Sequence, residues 1–217
     1  MAAKPESKSS IVLFGGTDPE FLDYARTQII DFVADRVGYA AAKTHLRDFL
    51  ADQRYQPAPE LTGTIHDFSS DERLDLILQA NFRLERGYIR WMKGQERAML
   101  DTWPAKEITV VANKEAYETR WAEAGGVLVR GRMVALMNDP VWAGFSPFGV
   151  PYEPFDFDGS LRVRGILRAD WAKLSPRQAE AEPQPETRAF SQDLEIANTR
   201  CDGILRQLYP SAGAKTP

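Results

Sequence analysis

The sequence predicts an α+β fold, with helices first and a small sheet after them. Three observations carry that prediction. Apolar residues recur at helical spacing through most of residues 18–100, β-branched runs that read as successive strands follow Pro104, and the strands are followed by an aperiodic stretch rich in aromatics and prolines. The domain plan that follows is a flexible segment over 1–17, a helical plus small-sheet domain over 18–174, a linker over 175–188, and a C-terminal helix and tail over 189–217. The sheet, antiparallel or mixed, is expected to pack with the N-terminal helices and one long central helix.

Residues 1–10 are rich in Lys, Ser and Pro, a composition that does not order itself. Ile11–Phe14 reads as a strand or anchor, and Gly15-Gly16 as a turn, because the spacing of a phosphate loop is absent. Asp18-Pro19-Glu20 supplies an N-cap, a first-turn proline and a first-turn acid for a helix running to about Arg36. Gly38 interrupts it, and a second helix spans about Tyr39–Gln53 with Ala42, Leu46, Phe49 and Leu50 on one side. Arg54–Ser70, with two prolines and no period, reads as a loop. His45 and His66 have no nucleophile or orienting partner in view, so each reads as a surface or loop-bonding histidine.

Asp71–Leu100 is the longest helical pattern in the chain, ~45 Å if continuous at 1.5 Å per residue. Ser69 and Glu72 match a capping box, and Trp103-Pro104 supplies the stop. Leu74, Ile77, Leu84, Tyr88, Trp91, Met92 and Met99 form the apolar stripe, with Asn81 and Gln95 within it as amides expected to bond nearby backbone. Arg83, Arg86, Arg90, Lys93 and Arg97 recur in steps of three and four on the opposite side, a basic ridge. The ridge is either a solvated face or a contact for phosphate or an acidic protein surface. Ala80, Gly87 and Gly94 form a groove of small residues suited to close approach of another element, since a helical glycine costs ~1 kcal/mol without a packing reason.

Beyond Pro104, Glu107–Val111 reads as a strand, Lys114–Ala124 as a short helix closed by Gly125-Gly126, and Val127–Val129 with Met133–Leu136 as a hairpin around Arg130-Gly131-Arg132. The aperiodic stretch from Asn138 carries Trp142, Phe145, Phe148, Tyr152, Phe155 and Phe157 among four prolines. Those aromatics either plug the core or present a surface. Val163–Leu174 reads as a strand passing into a short helix, Ser175–Arg188 as a hydrophilic linker, and Ala189–Leu208 as an amphipathic helix able to dock on a partner.

The formal charge of −4 argues against non-specific coating of nucleic acid. Cys201 is the single cysteine, so neither a disulfide framework nor a cysteine-rich zinc site is available. No signal-peptide pattern and no run of about eighteen apolar residues occurs, so no membrane partner is expected. Asp139, Asp156 and Asp158 are the best candidates for acid chemistry or a divalent metal. Their places beside Pro140 and Gly159 also suit turns. With no nucleophile elbow, histidine ligand pair or dinucleotide fingerprint, no cofactor, metal or catalytic residue is assigned.

The run GTIHDFSSDERLDLILQANFRLERGYIRWMKGQ, followed by LDTWPAKEI, RWAEAGG, GRMVALMNDPVW, SPFGVPYEPFDFDGS and VRGILR, resembles the Mu F-like minor head, or head morphogenesis, proteins of tailed bacteriophages and prophages. The likeness covers about Gly63–Arg168. It is carried by the helix with Asn81 and Gly87 and by the segment from Asp139-Pro140 and Trp142 to Pro154-Phe155-Asp156-Phe157. The resemblance implies a non-enzymatic virion protein present in a few copies near the portal vertex. It would act in head assembly, with DNA packaging or ejection as a further task. Its implied partners are the portal or major capsid protein and packaged DNA, and its implied location is the virion, with assembly in the host cytoplasm. The family's cysteine-rich ending has no counterpart at Phe157-Asp158-Gly159-Ser160, so no metal or thiol role follows. An analogy with the ADP-ribosyltransferase fold accompanies the family and implies no activity. The alternatives are a prophage enzyme of the ADP-ribosyltransferase or nuclease kind using those aspartates, and a cytosolic adaptor recruiting a partner through its C-terminal helix.

Overall fold

A computed structural model describes residues 19–110, 112–156, 160–176, 180–190, 192–197 and 200. The sequence readings at 1–17, Asp18, Val111, Phe157, Asp158 and 201–217, Cys201 included, lie outside the described residues. The described residues show an α+β fold with helices α1 (Pro19–Val33), α2 (Tyr39–Asp52), α3 (Asp71–Gly94), α4 (Arg97–Thr102), α5 (Lys114–Glu123), α6 (Val141–Phe145) and α7 (Arg168–Leu174), and strands β1 (Ala105–Val110), β2 (Leu128–Val129), β3 (Arg132–Leu136) and β4 (Leu161–Ile166). A 3-10 turn at Pro59–Leu61 interrupts the loop between α2 and α3. No described helix is long and apolar enough to cross a membrane.

The described residues fall into two compact units, those within Met1–Phe82 and Phe190–Pro217 and those within Arg83–Ala189. In the first, Phe21, Ala25 and Ile29 of α1, Ala42, Leu46 and Leu50 of α2, and Leu74, Ile77 and Leu78 of α3 are buried. Rings tie these elements together: Tyr24 stacks on Phe49 at 4.2 Å, and Phe32 meets Phe82 at 5.4 Å. Residues 190 and 192–197 are helical, with Leu194 and Ala197 buried in the chain's own fold. Ile196 on the same stretch is 39% exposed, and Ile204, Leu205 and Leu208 of the expected amphipathic helix lie outside the described residues.

The start of α3 differs by one residue from the predicted capping box. Ser70, not Ser69, caps the helix: its Oγ accepts the Arg73 backbone N–H at 3.1 Å and donates to the Thr64 carbonyl at 2.8 Å. Ser69 is drawn instead to Asp67, which is buried and accepts from the Ser69 N–H (2.8 Å), the Ser69 hydroxyl (2.6 Å) and the Gly63 N–H (2.9 Å). Burial works to raise the Asp67 carboxyl, but the bonds from Ser69, Gly63 and Ser70 outweigh it and hold the group below the ordinary range. Asp67→Asn is accordingly expected to cost about 1–2 kcal/mol at neutral pH. Because the folded value is depressed, that contribution is complete above the unfolded value of 3.8 and is lost as pH falls through the folded one. Urea unfolding of both proteins should show their stabilities converging in acid, and a constant gap would exclude the ionised carboxylate as its source.

The helix predicted over Asp71–Leu100 is two helices. Hydrogen bonds tighten to three-residue spacing at Gln95 and Glu96, and Glu96 takes extended backbone before α4 begins at Arg97. At the break Gln95 bonds groups distant in sequence, not the nearby backbone expected of it. Its amide donates to Asn138 Oδ1 at 3.0 Å, and its oxygen accepts from Asn138 Nδ2 at 2.7 Å and from the Glu186 backbone N–H at 3.0 Å. Those three bonds fix the buried side chain where α3 gives way to α4. The break also turns Met99 outward to 38% exposure, whereas it was expected in the apolar stripe.

The sheet of the second unit is antiparallel throughout, in the order β2-β3-β1-β4. β1 begins at Ala105, two residues before the predicted start, so Lys106 belongs to it. Val127 is outside the hairpin and 76% exposed. On one face of the sheet Ile108, Met133 and Leu161 pack with Trp121 of α5, Trp142 and Phe145 of α6, and Phe155. On the other, Ala105, Val134 and Ile166 pack with Trp171 of α7. The aromatic stretch is thus a core plug, with Trp142, Phe145, Phe148, Tyr152 and Phe155 all buried. Its first part, expected to be irregular throughout, forms α6.

Candidate functional site

The motif segments meet at the last turns of α3. Gly87 is buried, and a Cβ built there would lie 1.8 Å from the Glu153 carbonyl oxygen, so only glycine admits this backbone. The other predicted groove position in this unit behaves differently: nothing lies within 4 Å of a Cβ at Gly94, so no close approach occurs there. Beside the contact, Tyr152 packs against Trp91 and Tyr88 with ring centres 5.9 and 5.8 Å apart. Asn81, in the first unit, donates to the Ile77 carbonyl at 2.8 Å, the backbone role expected of it.

A segment without regular structure must find other partners for its carbonyls once buried. Here two cations supply them. Lys106 Nζ donates to Pro151 O at 2.6 Å, and Arg120 Nη2 donates to Phe155 O at 2.6 Å. The Lys106 ammonium also lies 4.6 Å from the Trp142 ring centre and 5.3 Å from that of Phe155. Burial pushes the amine down to about 7, against the opposing pull of Glu153 and Glu186. The Trp142 indole N–H donates to Leu136 O at 2.7 Å, which ties α6 back to β3.

The candidate acids serve the backbone. Asp139 Oδ1 accepts the Val141 N–H at 2.9 Å behind Pro140, and Asp156 Oδ2 accepts the Leu161 N–H at 2.7 Å next to Pro154 and Phe155. The first is a turn role, a side chain bonding the backbone two residues on, and the second ties the Asp156 carboxylate to the start of β4. Among the described residues no group of three or more His, Cys, Asp or Glu side chains is placed to hold a metal ion. His45 meets Gln28 Oε1 at 2.8 Å, and the His66 backbone N–H donates to Thr64 Oγ1.

Four of the five ridge cations, Arg83, Arg86, Arg90 and Lys93, lie on α3. Arg97 falls beyond the break on α4, so the ridge is shorter than predicted. Arg90 pairs with Glu153 at 3.1 Å, and Arg97 pairs with Asp101 at 3.1 Å and Glu182 at 2.6 Å. Lys93 is exposed and has no ion pair among the described residues. The segment read as a linker lies along the same unit: Glu182 meets Arg97, Gln184 O accepts from Asn138, Glu186 N–H donates to Gln95, and Arg188 O accepts the Tyr88 hydroxyl at 2.8 Å.

Sequence reasoning missed two charged groups of the sheet. Lys106 preceded the expected strand and was not assigned to it. On the opposite face Glu107, buried, takes Arg132 through both carboxylate oxygens at 2.7 and 2.6 Å and Arg164 at 2.6 Å. Bonding from Arg132 and then Arg164, against the effect of burial, holds the Glu107 carboxyl below the ordinary range. Period-2 alternation would have put Lys106 and Glu107 on opposite faces, but the cross-strand pairing of Glu107 with Arg164 needs the register. No protein-family model matches the chain, and neither does any curated protein or solved structure with which it was compared.

Proposed function

We propose that the chain is a structural protein of a tailed-phage head, of the Mu F-like minor head or head morphogenesis kind. In this reading it acts without catalysis in head assembly near the portal, joined to portal or major capsid protein, with packaged DNA as a further contact. The observation that carries the reading is the use made of the motif residues. Gly87 receives the backbone at Glu153, Trp142 and Phe155 fill one core, and Asp139 and Asp156 bond backbone N–H groups. Two of the three acids an enzyme would use, Asp139 and Asp156, are here bonded to backbone N–H groups, which supports an assembly role over the enzyme alternative. The test is mass spectrometry of purified heads from a lysate in which the chain is expressed from its own locus. The chain should be present at a few copies per head, and its absence from heads would end the proposal.

The ridge is the surface through which that role would act. Arg86, Arg90 and Lys93 are exposed on successive turns of α3. Surface charges of this kind contribute to association more than to folding. Replacing all three by Glu is expected to leave the thermal unfolding midpoint within a few degrees of the parent while impairing head assembly or portal association. Unchanged infectivity with the triple variant would make the ridge a solvated face.

A further inference from the structure

The Glu107 clamp borders a cavity of about 420 Å³ formed by β3, β4 and α7, and lined by Arg132, Arg164, Ile166, Leu167, Asp170 and Lys173 among others. One buried carboxylate holds two guanidiniums there, so the clamp keeps a net positive charge. Each guanidinium has five N–H donors in a fixed plane, more than Glu107 can accept. Among the described residues Arg132 Nη1 and both Nη atoms of Arg164 have no acceptor, while their Nε atoms are pinned on Glu107 at 2.7 and 2.6 Å. Lys173 adds a third cation, partly balanced by Asp170 at 3.5 Å.

An ordinary surface arginine must give up rotamer freedom to grip a ligand. These two have already lost it, because the strand register sets Arg164 directly across from Glu107 and the paired carboxylate oxygens orient Arg132. The Glu107 carboxylate lies between them as a fixed counter-charge and does not fill the cavity. Ile166, Leu167 and Leu174 provide an apolar wall on the α7 side, with Leu167 exposed.

We propose that this cavity is a binding site for an oxyanion group, a carboxylate or a phosphate, gripped by the outward nitrogens of Arg132 and Arg164 with Lys173 as a supporting charge. The site is independent of the head-assembly reading and stands or falls by itself. No residue of the α3 ridge or of the aromatic plug takes part in it.

The test is an NMR titration of the full chain with inorganic phosphate and, separately, with acetate, at constant ionic strength. The signals followed are the Nε–H resonances of Arg132 and Arg164. Saturable shifts of both with either anion are expected, and which anion saturates identifies the group as phosphate or carboxylate. Arg164→Gln, at a side chain 62% exposed, should weaken binding about tenfold by removing one charge-assisted grip. Asp170→Asn should tighten it about threefold by removing the opposing charge. Lys114→Gln on α5 should change nothing. If Arg164→Gln lowers the unfolding midpoint, Lys173→Gln takes its place, with the same direction expected. Non-saturating shifts with both anions, or identical binding by parent, Arg164→Gln, Lys173→Gln and Asp170→Asn, would overturn the proposal.

Discussion

Gly87→Ala is expected to destabilise the protein by about 3 kcal/mol, even though alanine is the better helix former by about 1 kcal/mol. A new methyl carbon would lie 1.8 Å from Glu153 O and 2.8 Å from Glu153 C, with the Tyr152 ring 3.2 Å away. Backbone cannot swing aside as the end of a flexible side chain can. The segment must move, and it is held by Lys106 at Pro151 and by Arg120 at Phe155. Moving it strains those bonds and the aromatic packing at the same time. Gly94→Ala on the same helix is the control. With nothing within 4 Å it should be neutral or gain up to about 1 kcal/mol. Urea unfolding of the two variants should therefore give opposite signs. Equal effects would mean that helix propensity, not the approach of Glu153, determines the cost.

Lys106→Met is expected to abolish a rise in stability with alkaline pH. In the unfolded chain the amine titrates near 10.5, and in the fold burial pushes it to about 7. Between those values the unfolded chain binds the additional proton, so the parent gains stability as pH rises through that window, by at most about 1.4 kcal/mol per pH unit. Below about pH 7 the amine is charged in both states and its contribution is flat. The same window bounds the effect from above, since the amine is neutral in both states once pH exceeds 10.5. Methionine keeps the chain length among Trp142 and Phe155 but cannot donate to Pro151 O, which leaves that carbonyl without its cation. The readout is therefore the slope and not the level: the difference in unfolding free energy between parent and variant should grow from about pH 7 to pH 10. A parallel pair of curves would show that Lys106 keeps its ordinary basicity in the fold.

Local chemistry was legible in the sequence where it was strong. The helix stop at Pro104 and the hairpin around Gly131 each rest on a residue with one conformational property, and those elements fall as the residues dictate, whereas the first helix ends at Val33, ahead of the expected Gly38, with Asp35 in the left-handed region. The failures have a common cause. Ser69 and Ser70 are equivalent to a pattern, and what separates them is Asp67 drawing Ser69 away. Gln95 looks like any helical glutamine until Asn138, forty-three residues later, faces it. Gly87 and Gly94 are identical at heptad spacing, yet one receives a backbone and the other nothing.

The candidate site divides in the same way. The basic ridge could be read as spacing, because charges three and four apart on a helix share a side whatever surrounds them. The helix break that removes Arg97 from it could not, and neither could the pairing of Arg90 with Glu153 or of Arg97 with Glu182. The Glu107 clamp was out of reach, because Arg132 and Arg164 lie on different strands and reach one carboxylate only through an antiparallel register.

The sequence by itself determined the α+β class and placed most elements to within a few residues, α4 and α6 excepted, since class and placement depend on periodicity, caps and breakers within a few residues of one another. Only the tertiary structure decided which polar groups would be buried and what each would bond. Lys106, Glu107, Asp67 and Gln95 are ordinary polar residues in the chain, and their roles come from partners that folding brings to them. A buried charge or amide is tolerated only where such a partner exists, and that partner is a property of the assembled fold.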